Sequence, residues 1–566
     1  MAATAQARLD EEITRLTIKL SSLKTQKNTF ALISRLPTPI LARIFIYYAR
    51  DDYYRPLYYL SRSMRSRWIG VSFVCRHWRR VALACPAPWS YLFVASPWWT
   101  EALLSRSVDS PLRMWVEFWK SDKALDFMAR VAMHTERIQE CCLVFARSNV
   151  ARAFSVVSSR AAPLLRILKI TIQEPETLGK SMDSSKQEQA QNDHILFNGD
   201  TPMLRELGLT NYDMPWYSPS LGGLTTLQLC NLATSVQLTM TELRAVLDRS
   251  PYLVELDLVN ALRSGLSSST YQDSEKLHLS SLTRLLITAP FPEILTFLSY
   301  VEVPSTTQVR LACHQRTHPR ADDFIPFCSF LSRWFRAPTN KATPFTPIRL
   351  IFIEGAESRM RFVFGTLENV APSTNSKNFE HEAAPLKVDF DPWPPLSRRG
   401  DDMIGMICQS VPLAHLERIT LEDCSLSPTV WEDTFWDLQG LRTIELIGAG
   451  LSDLIETLLF SSRSPSPNSE GLPQVFAPSL EEIVLQNIAF VDYRDGYDDI
   501  YVMPRLIRAL ARREKEAGRA LKRLGLYYCL QLDSDDVQGL SDVVGSVDWD
   551  LGEQDRRSST DNSEDE

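Results

Sequence analysis

Three groups of residues in this sequence have types and spacings that could do chemistry. "CHQRTH" holds Cys313, His314 and His318, and the H-x3-H spacing brings two imidazoles near one helical turn, as a zinc site needs. No C-x-x-C pair occurs anywhere to complete four ligands, so the expectation is that no metal is bound. Arg62, Arg65, Arg67, Arg76, Arg79 and Arg80 lie among aromatic residues and could contact nucleic-acid phosphates. Trp78, however, falls on an apolar stripe and not among these arginines, which favours a basic surface facing an acidic protein over one facing nucleic acid. Ser563, followed by Glu-Asp-Glu, resembles an acidophilic kinase site, the alternative being a solvated terminus with no specific role. The sequence has no G-x-S-x-G, no H-E-x-x-H and no Gly-rich phosphate loop, so neither a catalytic activity nor a cofactor is expected.

The bulk properties set the frame for these residues. At 566 residues and 44% hydrophobic, the chain can build more than one ordinary domain, or one elongated repeat domain with a smaller attachment. No run of about 18 apolar residues occurs, and "MAATAQARLDEEITRL" lacks both the apolar centre of a secretory signal and an acid-poor transit character. The ten cysteines are scattered, as buried thiols in a reducing compartment are, which predicts a cytoplasmic or nuclear protein without membrane contact. The net charge of -8 is unevenly spread. Residues 30–95 carry ten Arg against Asp51 and Asp52, whereas 531–566 carry twelve acids against Arg556 and Arg557. The two regions should prefer different surroundings.

The elements that must position these residues follow from periodicity. Leu9, Ile13, Leu16, Leu20 and Leu23 recur at alternating steps of four and three, which predicts one apolar stripe on an N-terminal helix. That stripe would dock on its own domain, form a short two-helix coil, or mediate dimerisation. Thr38 fits an N-cap with Pro39 at the first helical position, and Ile40, Leu41, Ile44 and Phe45 then form an apolar face. In "VSFVCRHWRRVALACPAPWS", Val71, Val74, Cys75, Trp78, Val81, Ala82 and Cys85 fall at helical spacing until "PAPW" stops the helix. The Trp and Cys residues are therefore expected on one buried stripe.

From about Cys141 to Cys529 an L-x-x-L-x-L core recurs. It appears as Leu165-Leu168-Ile170, Leu204-Leu207-Leu209, Leu224-Leu227-Leu229, Leu253-Leu256-Leu258 and Leu282-Leu285-Ile287. It returns as Leu416-Ile419-Leu421, Leu441-Ile444-Leu446, Leu480-Ile483-Leu485 and Leu521-Leu524-Leu526. One short strand per repeat, apolar residues inward, predicts a stacked parallel sheet of irregular leucine-rich character. Asn211, Asn231, Asn260 and Asn487 follow two residues after a strand's last aliphatic, and Cys424 and Cys529 three after, where both types can bond to backbone of the adjacent coil. "TMTELRAVLDRSP" reads as a returning helix. The polar stretches 174–193, 371–385 and 461–474 read as loops or disordered insertions, and 300–400 fits the repeat worst.

Leu36-Pro37, "ILARIF", "VSFVCRHWRRVAL" and "PAPWSYL" together resemble an F-box, specifically the F-box-like module abundant in mushroom-forming fungi. "APLLRILKI", "LFNGDTPMLRELGLTN" and "LGGLTTLQLCNL" resemble, more loosely, the leucine-rich region that follows it in those proteins. Pro39 stands where the family often has an acid, and the insertion between Tyr47 and Gly70 is longer than in a compact animal F-box. The resemblance implies an α/β protein: an amphipathic coil over 1–29, an all-helical F-box-like domain over 30–95 and a connecting helical region over 96–135. An irregular leucine-rich solenoid over 136–530 and an acidic disordered tail over 531–566 complete it. It also implies docking on a Skp-type adaptor, and through it a cullin and RING ubiquitin ligase, while the leucine-rich region holds a target protein. Leu36, Pro37, Ile40, Leu41, Ile44, Val71, Cys75 and Trp78 would form or support the adaptor surface. The alternative is a scaffold that uses the leucine-rich surface without any ligase.

Overall fold

A computed structural model describes residues 2–54, 67–118, 122–157, 160–173, 196–212, 221–263, 276–314, 321–336, 347–356, 358–366, 384–393, 398–460, 475–492 and 500–550. Outside these lie the polar stretches 174–193 and 461–474, most of 371–385, and the tail from 551 with Ser563. Arg62, Arg65 and His318 are outside them too. The architecture is mixed α/β, with strands that are mostly parallel and, among the described residues, no closed barrel. The chain divides into two units, residues 1–237 with 245–250, and residues 238–244 with 251–566.

The first unit begins with three helices, α1 (Ala2–Thr29), α2 (Thr38–Tyr54) and α3 (Arg76–Ala84). The Pro37 carbonyl accepts from the Ile40 and Leu41 amides, so α2 starts one residue earlier than the sequence reading, with Thr38 and Pro39 in its first turn. Leu41, Phe45, Ala49 and Tyr53 are buried along one side of α2. They share the core with Trp68 and Trp89, whose rings meet edge to face at 4.8 Å, and with Val81 and Ala82 of α3. The Trp89 indole donates to the Ala82 carbonyl at 2.8 Å, which satisfies its N–H inside that core.

A sheet follows, with strands β1 (Tyr91–Phe93), β2 (Leu112–Phe118), β3 (Ile138–Ala146), β4 (Ile167–Gln173), β5 (Glu206–Thr210) and β6 (Thr226–Cys230), each parallel to the next. The registers stack Met114, Cys141, Leu168, Leu207 and Leu227 in one row, and Val116, Leu143, Ile170, Leu209 and Leu229 in the next. Two spans differ from the sequence reading. β1 lies inside 30–95, so that segment is not all-helical, and β2 lies inside the supposedly helical 96–135. The cause is an alternation of period two: Leu112, Met114 and Val116 are buried while Arg113, Trp115 and Glu117 are only part-buried.

The second unit carries β7 (Glu255–Val259), β8 (Arg284–Pro290), β9 (Gln308–His314), β10 (Leu350–Ala356), β11 (Arg359–Gly365) and β12 (Leu386–Asp391). After these come β13 (Arg418–Glu422), β14 (Thr443–Ile447), β15 (Glu482–Gln486), β16 (Arg523–Tyr527) and β17 (Val547–Trp549). In space the order is β7-β8-β9-β12-β11-β10-β13-β14-β15-β16-β17. All neighbours are parallel except at β11, which runs antiparallel to both β10 and β12. This hairpin insertion explains why 300–400 departs from the repeat. The tail boundary also moves, because 531–550 holds a helix, Ser534–Ser541, with a capping box between Asp533 and Asp536, and then β17. Those acids serve a helix N-terminus there and not a disordered segment.

Every leucine or isoleucine of the nine L-x-x-L-x-L segments is at most 3% exposed. After seven of these nine strands the turn separates the two roles that the sequence reading had merged, while Ile172 and Ala289 are still in strand. The second residue beyond the last aliphatic has positive φ: Asn211, Asn231, Asn260 and Asn487, but also Asp423, Tyr528 and Gly448. Asn tolerates this left-handed conformation better than most side chains. At Gly448 φ is +77° and a Cβ would lie 2.1 Å from Asp423 Oδ1, so any side chain there is strained and displaces the Asp423 carboxylate. The third residue turns inward, and there Tyr212, Leu232, Ala261, Cys424, Ile488 and Cys529 are buried. Cys424 and Cys529 then donate Sγ–H to the Ile353 and Leu485 carbonyls at 3.5 Å. Asn211 Nδ2 donates to the Ile172 carbonyl at 2.8 Å. Asn211→Ala should therefore cost about 1–3 kcal/mol in a urea titration, by left-handed strain plus a lost carbonyl partner. A cost below about 0.3 kcal/mol would contradict this role for the turn.

Candidate functional site

Two faces of α2 serve different purposes. The inner face is core: Leu41 is 0% exposed, and Phe45 packs on Trp78 with ring centroids 5.3 Å apart. The outer face repeats at steps of four and three, with Ile40 44%, Ile44 41% and Tyr47 59% exposed, and it continues to Tyr48. The helix is anchored by its opposite side and leaves this apolar stripe in solvent. Just ahead of α2, Leu32 and Ile33 are exposed as well, and so are Phe73 and Val74 before α3.

The expected adaptor residues divide accordingly. Ile40 and Ile44 lie on the open stripe, Pro37 is exposed and supplies the carbonyl that starts α2, and Leu36 is half-buried. Leu41 and Val71 are buried. Trp78 is half-buried against Phe45. Cys75 is a correction to the single helical stripe: it is extended, precedes α3 and accepts the Trp78 amide at Sγ, 3.5 Å away, so it caps the helix. A 3-10 turn, Arg67–Phe73, stands where the helix was expected to begin, and Val74 is exposed because it falls in the break. Sequence periodicity saw the spacing but not this interruption. Arg67, Arg76, Arg79 and Arg80 are exposed, and Arg76 donates to Ser21 of α1 at 2.8 Å.

A cluster at the far end of α2 was not visible in the sequence. The Tyr54 hydroxyl donates to the Glu140 carboxylate of β3, which also accepts from Arg113 Nε of β2 at 2.8 Å. The Arg113 guanidinium donates again to Gln139 Oε1 at 2.7 Å and lies 5.1 Å from the centre of the Tyr91 ring on β1. Burial, and then Glu140, raises the Tyr54 phenol far above its ordinary range, so it stays protonated as a donor. The arrangement fixes the C-terminal end of α2 against the first three strands. The signal that could have found it is the alternation in "LRMWVEF", which turns Arg113 away from the inward row.

In the second unit, the outward row of the sheet is a ladder of opposite charges. Arg361 of β11 reaches Asp389 of β12 at 2.6 Å and Glu354 of β10 at 2.5 Å. Arg418 of β13 and Thr420 both donate to Glu445 of β14, at 2.7 and 2.8 Å. Arg523 of β16 bridges Glu482 of β15 and Asp548 of β17, both at 2.6 Å. Such cross-strand pairs hold neighbouring strands in register and present a surface of mixed charge. Glu422 is the exception: burial, then Glu354, Asp423 and Glu445, push its carboxyl up from the ordinary carboxylate range. A raised folded-state pKa means the native state binds the proton more tightly than the unfolded chain, so this group's contribution falls as pH rises through that interval. Glu422→Gln should accordingly raise Tm at neutral pH, with the gain disappearing toward acid pH. A gain independent of pH would refute the assignment.

Of the residues that suggested a metal site, Cys313 and His314 are described, whereas His318 lies outside the described residues. The 308–314 segment is a strand, which turns Cys313 inward and His314 outward, where His314 Nε2 lies 2.8 Å from Asn260 Oδ1. Among the described residues no group of three potential ligands forms. Burial raises the thiols of Cys408 and Cys424 to about 12 and that of Cys529 to about 11, which removes them as nucleophiles near neutral pH. No helix among the described residues is long and apolar enough to cross a membrane. In comparison with known proteins, no family model matches the chain and no curated protein matches it.

Proposed function

We propose that this is a protein-interaction molecule without catalytic activity of its own. More particularly, it is read as a substrate receptor, whose F-box-like segment 30–95 docks on a Skp-type adaptor of a cullin-RING ubiquitin ligase while its leucine-rich solenoid holds a target protein. The observation that carries the reading is the open stripe Ile40, Ile44 and Tyr47 on an α2 whose other face is fully buried. The motif resemblance of Leu36-Pro37, "ILARIF" and "PAPWSYL" points to the same surface. The mixed-charge ladder from Arg361 to Asp548 supports the second half of the reading, since paired charges on a rigid sheet can be re-matched by a complementary protein and give specificity. Rate enhancement in such a complex comes from holding the target near the charged ligase, and no residue of this chain touches the reacting atoms. The alternative is a scaffold that uses the sheet surface alone. Co-expression of the full chain with the adaptor and cullin of its own cell decides between them: a ternary complex on gel filtration supports the receptor, and a folded chain that elutes apart from both supports the scaffold.

A further inference from the structure

We infer that α1 pairs with α1 of a second copy of this chain, and that the two helices run antiparallel. The stripe Leu9, Ile13, Leu16, Leu20 and Leu23 is solvent-exposed, from 53% at Leu16, Leu20 and Leu23 to 64% at Leu9. The expectation that it docks on its own domain is therefore not met. α1 is tethered to α3 by the Arg76–Ser21 hydrogen bond, and Ser21 lies beside the stripe and not on it. The apolar seam stays open while the helix is held.

The steps of four and three assign Leu9, Leu16 and Leu23 to heptad position d and Ile13 and Leu20 to position a. Isoleucine or leucine at these positions suits a two-stranded coil in either direction, so the flanking charges decide. Glu12 and Lys19 occupy successive g positions, and Asp10, Thr17 and Lys24 the e positions. In a parallel pair g meets the following e, which sets Lys19 against Lys24 of the other copy, twice by symmetry. In an antiparallel pair g meets g. Opposing Ile13 to Leu16 of the second copy, and Leu9 to Leu20, then sets Glu12 against its Lys19, also twice, with no like-charge pair. Shifting this register by a heptad brings Lys19 opposite Lys19. The Glu12–Arg15 ion pair at 2.6 Å is exposed and leaves the carboxylate on the flank of the seam. Self-complementary charge thus selects a second copy, one direction and one register.

The test is sedimentation velocity of the full chain over a concentration series, with each variant's fold checked by circular dichroism. The inference expects a reversible dimer, and a folded monomer for Leu16→Lys. Lys19→Glu should weaken the dimer about tenfold, by replacing two attractive pairs with two repulsive ones, and Glu12→Lys with Lys19→Glu should restore it. A monomer at every concentration, or a dimer unaffected by Leu16→Lys, overturns the inference. Tighter association of Lys19→Glu overturns the direction, because in a parallel pair the carboxylate introduced by that substitution would face Lys24 of the other copy and attract it. A zero-length cross-link between Glu12 and Lys19 in a mixture of isotopically light and heavy chains supplies independent support, since within one helix the two stand about 10 Å apart.

Discussion

Ile44→Asp and Ile40→Asp are expected to abolish adaptor binding, by a factor of at least about one hundred each, while leaving the thermal midpoint of the chain nearly unchanged. Both side chains are more than two-fifths exposed, so a carboxylate there is hydrated in the free protein and is stripped of water only in the complex. Leu41 behaves oppositely. At 0% exposure, Leu41→Ala removes packing from the core that α2 shares with Trp68 and Trp89 and should cost about 2–5 kcal/mol in stability. Binding lost through Leu41→Ala would report unfolding, as would Trp78→Ala in part, since Trp78 packs on Phe45. Isothermal calorimetry paired with a melting curve separates the two mechanisms. Equal destabilisation by Ile44→Asp and Leu41→Ala would show that α2 has no free face.

Phe390→Ala is expected to produce the largest loss of stability in the second unit, about 3–5 kcal/mol. Phe390 is 1% exposed, and its ring meets Phe324, Trp393 and Phe291 at 5.3, 5.3 and 5.5 Å, and Phe327 and Phe362 at 6.1 Å. These partners come from β11, the loop after β12 and two helices, Phe291–Tyr300 and Ala321–Arg336, so one truncation leaves a cavity that several elements would have to close together. Phe73→Ala, at a 73% exposed ring, should stay within about 0.5 kcal/mol. Urea unfolding of both variants gives the comparison, and a Phe390→Ala cost under about 1 kcal/mol would mean that the cluster repacks freely.

That aromatic cluster marks the limit of what the sequence made legible. Where each strand carries L-x-x-L-x-L, as in β13 to β16, inward residues, strand and turn could all be read, because Leu or Ile recurs at every inward position at period two while the outward positions vary. β10 reads Leu350-Ile351-Phe352-Ile353 with no such alternation. Phe352 is 1% exposed, and Ile351 and Ile353 on the opposite face are 0% exposed, so both faces of that strand are buried and the pattern vanishes. The antiparallel β11 breaks the expected order of parallel strands for a topological reason that no local spacing records. On α2, apolar content was legible but direction was not. Ile40 and Leu41 are neighbours of similar hydrophobicity, and only the packing of α2 against Trp68, Trp89 and Trp78 decides which one faces water. Cys75 was misassigned because a helix cap and a core position can share one spacing.

The most direct test of the account is the equilibrium affinity of the full chain for the Skp-type adaptor of its own cell, measured for wild type, Ile44→Asp and Asn211→Ala. The account predicts specific binding by wild type, its loss in a folded Ile44→Asp, and wild-type affinity in Asn211→Ala, whose defect lies in a sheet turn. Absence of binding by a folded wild type, or binding that survives Ile40→Asp and Ile44→Asp together, would contradict it.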